Sequence, residues 1–153
     1  MLLRTHLAFA FLVYFLLLWL NFLDEKILFL SFLIAATILV DIDSKKSFIG
    51  KLFIFRPLQL FFSHRGVFHT LLAAVVFSFF IYLYSKTAAF AFFLGYILHL
   101  ILDCMTYFGV KIFWPLFNWK IAFGMKTGGL IEEILFVLVL LMDFFMLIKV
   151  ILY

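Results

Sequence analysis

Residues 88–108 read AAFAFFLGYILHLILDCMTYF, and this stretch decides the fold. An apolar run of about 20 residues matches the hydrocarbon thickness of a bilayer. Yet His99 and Asp103 sit inside it. They are four residues apart, so on a helix they share one face, about 6 Å apart along the axis. Charged groups at such depth are costly unless paired, wetted or metal-bound. The run is therefore read as a transmembrane helix that carries two ligands of one site.

The rest of the chain agrees with that reading. Of its 153 residues, 69% are hydrophobic and 13% are charged, and the mean hydropathy is +1.29. Average usage is about 45–50% apolar, so a soluble domain of this size could not bury so much greasy surface. A β-barrel would need period-2 alternation, which is absent. The expected fold is an all-α, multi-pass transmembrane bundle forming a single domain over residues 1–153. Five hydrophobic segments are marked at Leu7–Leu23, Ile27–Val40, Gly66–Tyr84, Ala88–Phe108 and Leu130–Tyr153. The second is short, nearer a half-span. Two intervening stretches are interfacial in character. Ser44–Ser63 mixes Lys45, Lys46, Lys51 and Arg56 with Phe and Leu. Lys111–Gly129 carries Trp114 and Trp119, which suit the headgroup layer. The 25 phenylalanines read as lipid-facing bulk. One cysteine, Cys104, excludes an internal disulfide. No basic arm suggests nucleic acid, and no cleavage site follows the first apolar run.

Basic residues set the orientation. With five spans, Arg4, the 41–65 loop and the 111–129 loop share one face and hold nine of the 12 Lys and Arg residues. The opposite loops hold Lys26 and Lys86. The positive-inside rule then puts the N-terminus and both long loops in the cytoplasm. The histidines and the candidate ligand carboxylates fall on that same side. His6 opens the first span, Asp41 and Asp43 end the second, His64 and His69 flank the start of the third, and Glu132 and Glu133 open the fifth. With His99 and Asp103 they converge at one depth, although Lys and Arg alone fixed the sidedness.

Imidazole and carboxylate suit a divalent metal, Zn first and Mn or Fe next. The metal ligands expected are His6, Asp43, His64, His69, His99 and Asp103, holding one or two ions. If the backbone is extended at Asp41–Asp43, the two carboxylates project alike; one would bind metal and the other orient a histidine. Asp41 or Asp43 would act as general base, with Glu132 as a further catalytic candidate. Arg65 would hold an anion beside the metal, since its fork is planar and always charged. Blander readings exist: the aspartates would cap a helix, and the glutamates would favour a helix start through its dipole.

At these residues the chain resembles the YdjM-like family of bacterial and archaeal membrane proteins, described as metal-dependent hydrolases. The stretches that carry the resemblance are DIDSKKSFIG, HRGVFHTLL, GYILHLILDCMT with the following Gly109, and Trp114–Pro115. His6 and Gly129–Glu132 match more weakly. The resemblance implies a multi-pass protein of the cytoplasmic membrane whose motif residues are Asp41, Asp43, His64, His69, His99, Asp103 and Glu132. It departs at Ser44, where the family usually has histidine, and at Phe68 and Thr70 around the second histidine of the HRGVFHT stretch. A missing histidine at 44 would remove one ligand.

Three functions compete. The first is a cytoplasm-facing, metal-dependent hydrolase acting on a phosphoester or other ester of a lipid-like substrate. The second is a metal-ion transporter, disfavoured because the outer half of every span is nearly bare and no internal repeat is found. The third is a metal-stapled scaffold binding a cytoplasmic protein partner. No GxSxG or HExxH motif is present.

Overall fold

Helices satisfy their backbone groups within one segment, and every apolar run marked in the sequence folds as one. The protein is described by a computed structural model covering residues 1–45, 47–61 and 65–152; the expected ligand His64 lies outside the described residues. In chain order the helices are α1 (Leu3–Trp19), α2 (Lys26–Leu39), α3 (Arg56–Phe61), α4 (Leu71–Tyr82), α5 (Lys86–Cys104) and α6 (Leu130–Leu152). Short 3-10 turns span Val40–Asp43, Phe53–Phe55 and Val67–His69. The described residues form no strand. Residues 105–129 fold back on themselves through single bridges, Thr106 to Met125 and Val110 to Ile121.

The expectation of an all-α fold holds, but the helix lengths differ from the five-span reading. Among the described residues, only α5, with 19 residues, and α6, with 23, are long and apolar enough to cross a membrane. Helix α4 has 12 residues, about 18 Å at 1.5 Å per residue. It is shorter than the apolar run because residues 66–70 depart from α-helical geometry, with a 3-10 turn at Val67–His69 and an extended Thr70. Thr70 is extended and caps α4, its Oγ1 accepting from Ala73 N at 3.1 Å. Ser85 caps α5 in the same way through Ala88 N at 3.2 Å.

Helix α5 is the centre of the bundle and packs against α1, α2 and α4, while α6 lies along α1. One core cluster joins Ala36 and Val40 to Ala73, Ala74, Phe92, Tyr96 and Leu100. Gly95 sets the α2–α5 approach. A Cβ there would meet the Leu33 carbonyl oxygen at 2.4 Å, so only glycine lets the two backbones come this close. That approach brings the end of α2, and the Asp41–Asp43 turn beyond it, beside the His99–Asp103 end of α5. Helix α6 leaves most of its apolar surface uncovered; Glu132, Val139 and Asp143 are its buried residues.

Candidate metal centre

The site begins with the His99–Asp103 face of α5. Both residues are almost fully buried. His99 Nδ1 lies 2.8 Å from the backbone oxygen of Thr37. A carbonyl can only accept, so Nδ1 carries a proton, and in the neutral ring Nε2 keeps its lone pair. Thr37 stands in the last turn of α2, where helix carbonyls begin to lack helical partners. The lone pair on Nε2 has no hydrogen-bond partner. It faces Asp41 Oδ1 at 3.8 Å and Asp103 Oδ2 at 4.0 Å. An imidazole lone pair directed at two carboxylates is repulsive unless a positive charge lies between them.

Three other elements deliver the remaining groups. His6, from the first turns of α1, stacks on His99 with ring centroids 3.9 Å apart and planes 6° from parallel. Its Nε2 is 3.4 Å from Asp103 Oδ1, and neither ring nitrogen makes a hydrogen bond. His69, from the 3-10 turn before α4, places Nε2 3.4 Å from Asp41 Oδ1 and 3.7 Å from Asp103 Oδ2. Its other nitrogen, Nδ1, is 3.4 Å from Asp43 Oδ2. The DID turn is 3-10 rather than extended, so Asp41 and Asp43 do not project alike. They address opposite nitrogens of one imidazole. Asp41 meets the cavity, and Asp43 is buried behind the ring. Burial opposes ionisation of Asp41, but the neighbouring His69 outweighs it and holds the carboxyl below its usual range.

These distances test the fit of a metal. Hydrogen bonds between nitrogen and oxygen span about 2.7–3.2 Å, and the contacts here are longer. Ligands at about 2.1 Å from a tetrahedral ion stand about 3.4 Å from one another, close to what is seen. The donor atoms of His6, His99 and Asp103 all lie within 4.8 Å of one another, as do those of Asp41, His69 and His99. His99 belongs to both groups. The unpartnered nitrogens of His6 and His99 Nε2, beside the carboxylates of Asp41 and Asp103, fit a divalent cation.

Arg65 forms part of the wall. Its backbone is left-handed, with φ of +63°, and its N–H donates to Asp43 Oδ2 at 3.1 Å. The guanidinium donates to Thr106 Oγ1 at 3.2 Å and lies 3.2 Å from Asp103 Oδ2. The Met1 ammonium is 2.5 Å from Asp103 Oδ1. A cavity of about 790 Å³ reaches Asp41, Asp103 and Arg65, with Lys51, Phe48 and Ile38 among its other lining residues.

Glu132 has different partners from the cluster. Its carboxylate accepts from Leu2 N at 2.7 Å, Thr5 Oγ1 at 2.9 Å and Gly128 N at 2.7 Å, clipping the start of α6 to the start of α1. Glu133 is partly exposed and pairs with Arg4. The structure thus brings together His6, His69, His99, Asp41, Asp43, Asp103 and Arg65, and turns Glu132 to the helix starts. Sequence reasoning missed Thr37, because its contribution is a backbone carbonyl that any residue supplies. It also missed Thr106; the hydroxyl three residues beyond Asp103 was its only signal.

Comparison with known proteins gives the site a setting. Two similar curated proteins are Inner membrane protein YdjM of Escherichia coli (strain K12) and Inner membrane protein YdjM of Shigella flexneri. Each is 37% identical over 93 residues, which cover 54% of this chain and 46% of the relative. The chain thus spans about half the length of the curated relatives it matches. No solved structure matches. The sequence model of the YdjM inner membrane protein family matches residues 1–151, and the chain belongs to that family.

Proposed function

We propose that this protein is a membrane-embedded, metal-dependent hydrolase whose site faces the cytoplasm and acts on a phosphoester, or another ester, of a lipid-like substrate. In this reading the five apolar helices lie in a bacterial inner membrane with the N-terminus inside. α5 and α6 cross fully, and the shorter α1, α2 and α4 pack around the centre. The observation that carries the proposal is the proton on His99 Nδ1, fixed by the Thr37 carbonyl, which leaves an unpartnered Nε2 facing Asp41 and Asp103.

His6, His69, His99, Asp41 and Asp103 would hold the metal. A bound divalent cation supplies Lewis acidity and lowers the pKa of water toward neutrality. The protein's own residues do the rest. Asp43 sits against His69 Nδ1 and keeps that ring oriented. Asp41 reaches the cavity, where its carboxylate oxygen not held by the metal would orient an attacking water. Arg65 offers a fixed cation to the anionic part of a substrate. Phe48 and Ile38 give the same cavity an apolar wall, which suits an amphiphile better than a fully polar ester.

The test is hydrolysis of long-chain phosphodiesters and carboxyl esters by the full chain in mild detergent, with and without added Zn or Mn. The expected result is metal-dependent turnover that His99→Ala abolishes while helical content is retained. Tight metal binding with no turnover of either ester class would refute the hydrolase and leave a metal-stapled scaffold.

A further inference from the structure

Residues 47–61 have two faces. The inner face belongs to the site. Phe48 and Lys51 line the cavity. Gln59, which is buried, donates through Nε2 to the Ile42 carbonyl at 2.9 Å and to the Gly50 carbonyl at 2.7 Å. Ile42 is the residue between Asp41 and Asp43, so the segment is tied directly to the DID turn. The outer face is apolar and uncovered: Phe53 is 86% exposed, Ile54 75%, Leu60 77% and Phe61 83%. Water is a poor neighbour for such a patch, since large contiguous apolar surfaces on soluble proteins mark interaction sites.

Charge says what covers it. Residues 44–61 contain Lys45, Lys51 and Arg56 among their cations and hold no Asp or Glu. Lys45 is exposed, and Lys51, at the mouth of the cavity, is exposed as well. Exposed aromatic and aliphatic side chains beside uncompensated cations fit an anionic lipid interface, where apolar groups enter the acyl boundary and cations meet phosphates. A second copy of the same patch would set cation against cation. We propose that the outward face of residues 47–61 docks on anionic phospholipid headgroups of the bilayer, so that the cavity behind it opens at the headgroup layer. This rests on the membrane placement proposed above and not on the metal chemistry.

The experiment uses the full chain in vesicles of equal parts phosphatidylcholine and phosphatidylglycerol. A bimane label on Phe53→Cys reports the patch, and a label on Leu141→Cys, exposed on α6, reports the membrane helix. The unsubstituted chain gives the background from buried Cys104. Lipids brominated on the acyl chain quench from the bilayer, and iodide quenches from water. Expected is quenching at position 53 by brominated lipid, with phosphatidylglycerol preferred over phosphatidylcholine in a mole-fraction titration. Lys45→Gln should reduce that preference by about fivefold, the effect of one basic residue at an anionic surface. Iodide quenching at 53 with lipid quenching retained at 141 would overturn the docking and leave the membrane placement standing. Shielding of 53 from both quenchers would assign the face to a protein partner and overturn the proposal. Equal quenching by the two lipids would overturn its anionic character. Loss of lipid quenching at 141 would remove the membrane placement on which it rests.

Discussion

Asp43→Asn changes one atom of a buried carboxylate and leaves every proposed metal ligand in place. Asp43 Oδ2 accepts from Arg65 N at 3.1 Å and faces His69 Nδ1 at 3.4 Å. The amide oxygen of an asparagine can keep the Arg65 contact. It cannot supply the negative charge that makes His69 a more basic ligand and holds its ring. Carboxylates in this outer position are worth about 10- to 100-fold in metal affinity, or about 1.4–2.8 kcal/mol. The expected outcome is a dissociation constant raised by that factor with unchanged metal stoichiometry. Competition against a chromophoric chelator in detergent measures both quantities. Thermal unfolding in the presence of chelator separates an effect on folding. A change under about twofold would refute the orienting role, which requires at least about tenfold. Stoichiometry that falls as it does on removing a ligand would show that Asp43 binds the ion directly.

Glu132→Ala should strand Leu2 N, Thr5 Oγ1 and Gly128 N. At about 1–3 kcal/mol for an unmet buried hydrogen bond, its melting temperature should fall clearly while metal stoichiometry stays constant. Gly95→Val would drive a Cβ into the Leu33 carbonyl at 2.4 Å. It should separate α2 from α5 and cost more than about 1–3 kcal/mol, read as lower thermal stability together with weaker metal binding. Removing the metal from the wild type should lower its melting temperature, because saturation at about 1,000 times the dissociation constant contributes about 4 kcal/mol; an unshifted melt would contradict a structural contribution from the ion.

Much of the site was legible because its spacing follows from helix geometry. His99 and Asp103 are one turn apart, and any α-helix places them on one face. The polar residues at the helix ends also pointed to a shared depth. What the residues could not reveal were the backbone events. The DID motif reads as extended or turned with equal ease, and its 3-10 form is what sends Asp41 and Asp43 to opposite nitrogens of His69. The apolar run from Gly66 reads as one span, yet the left-handed Arg65 and extended Thr70 hold its first residues out of α4. Glu132 looked like a member of the cluster by depth; its three donors lie on neighbouring backbone and Thr5, whose positions depend on how α1 meets α6. The Gly95 contact has the same origin, since closeness of two helices is a property of the pair.

The most direct measurement is the metal content of the purified full chain by mass spectrometry, beside His99→Ala. His99 is the one residue shared by both donor groups. The account predicts about one or two equivalents of a divalent transition metal in the wild type and loss of that metal in His99→Ala, with helical circular dichroism unchanged. A wild type without bound metal after growth and titration with Zn, Mn and Fe, or a His99→Ala chain that keeps its metal in full, would contradict the metal centre.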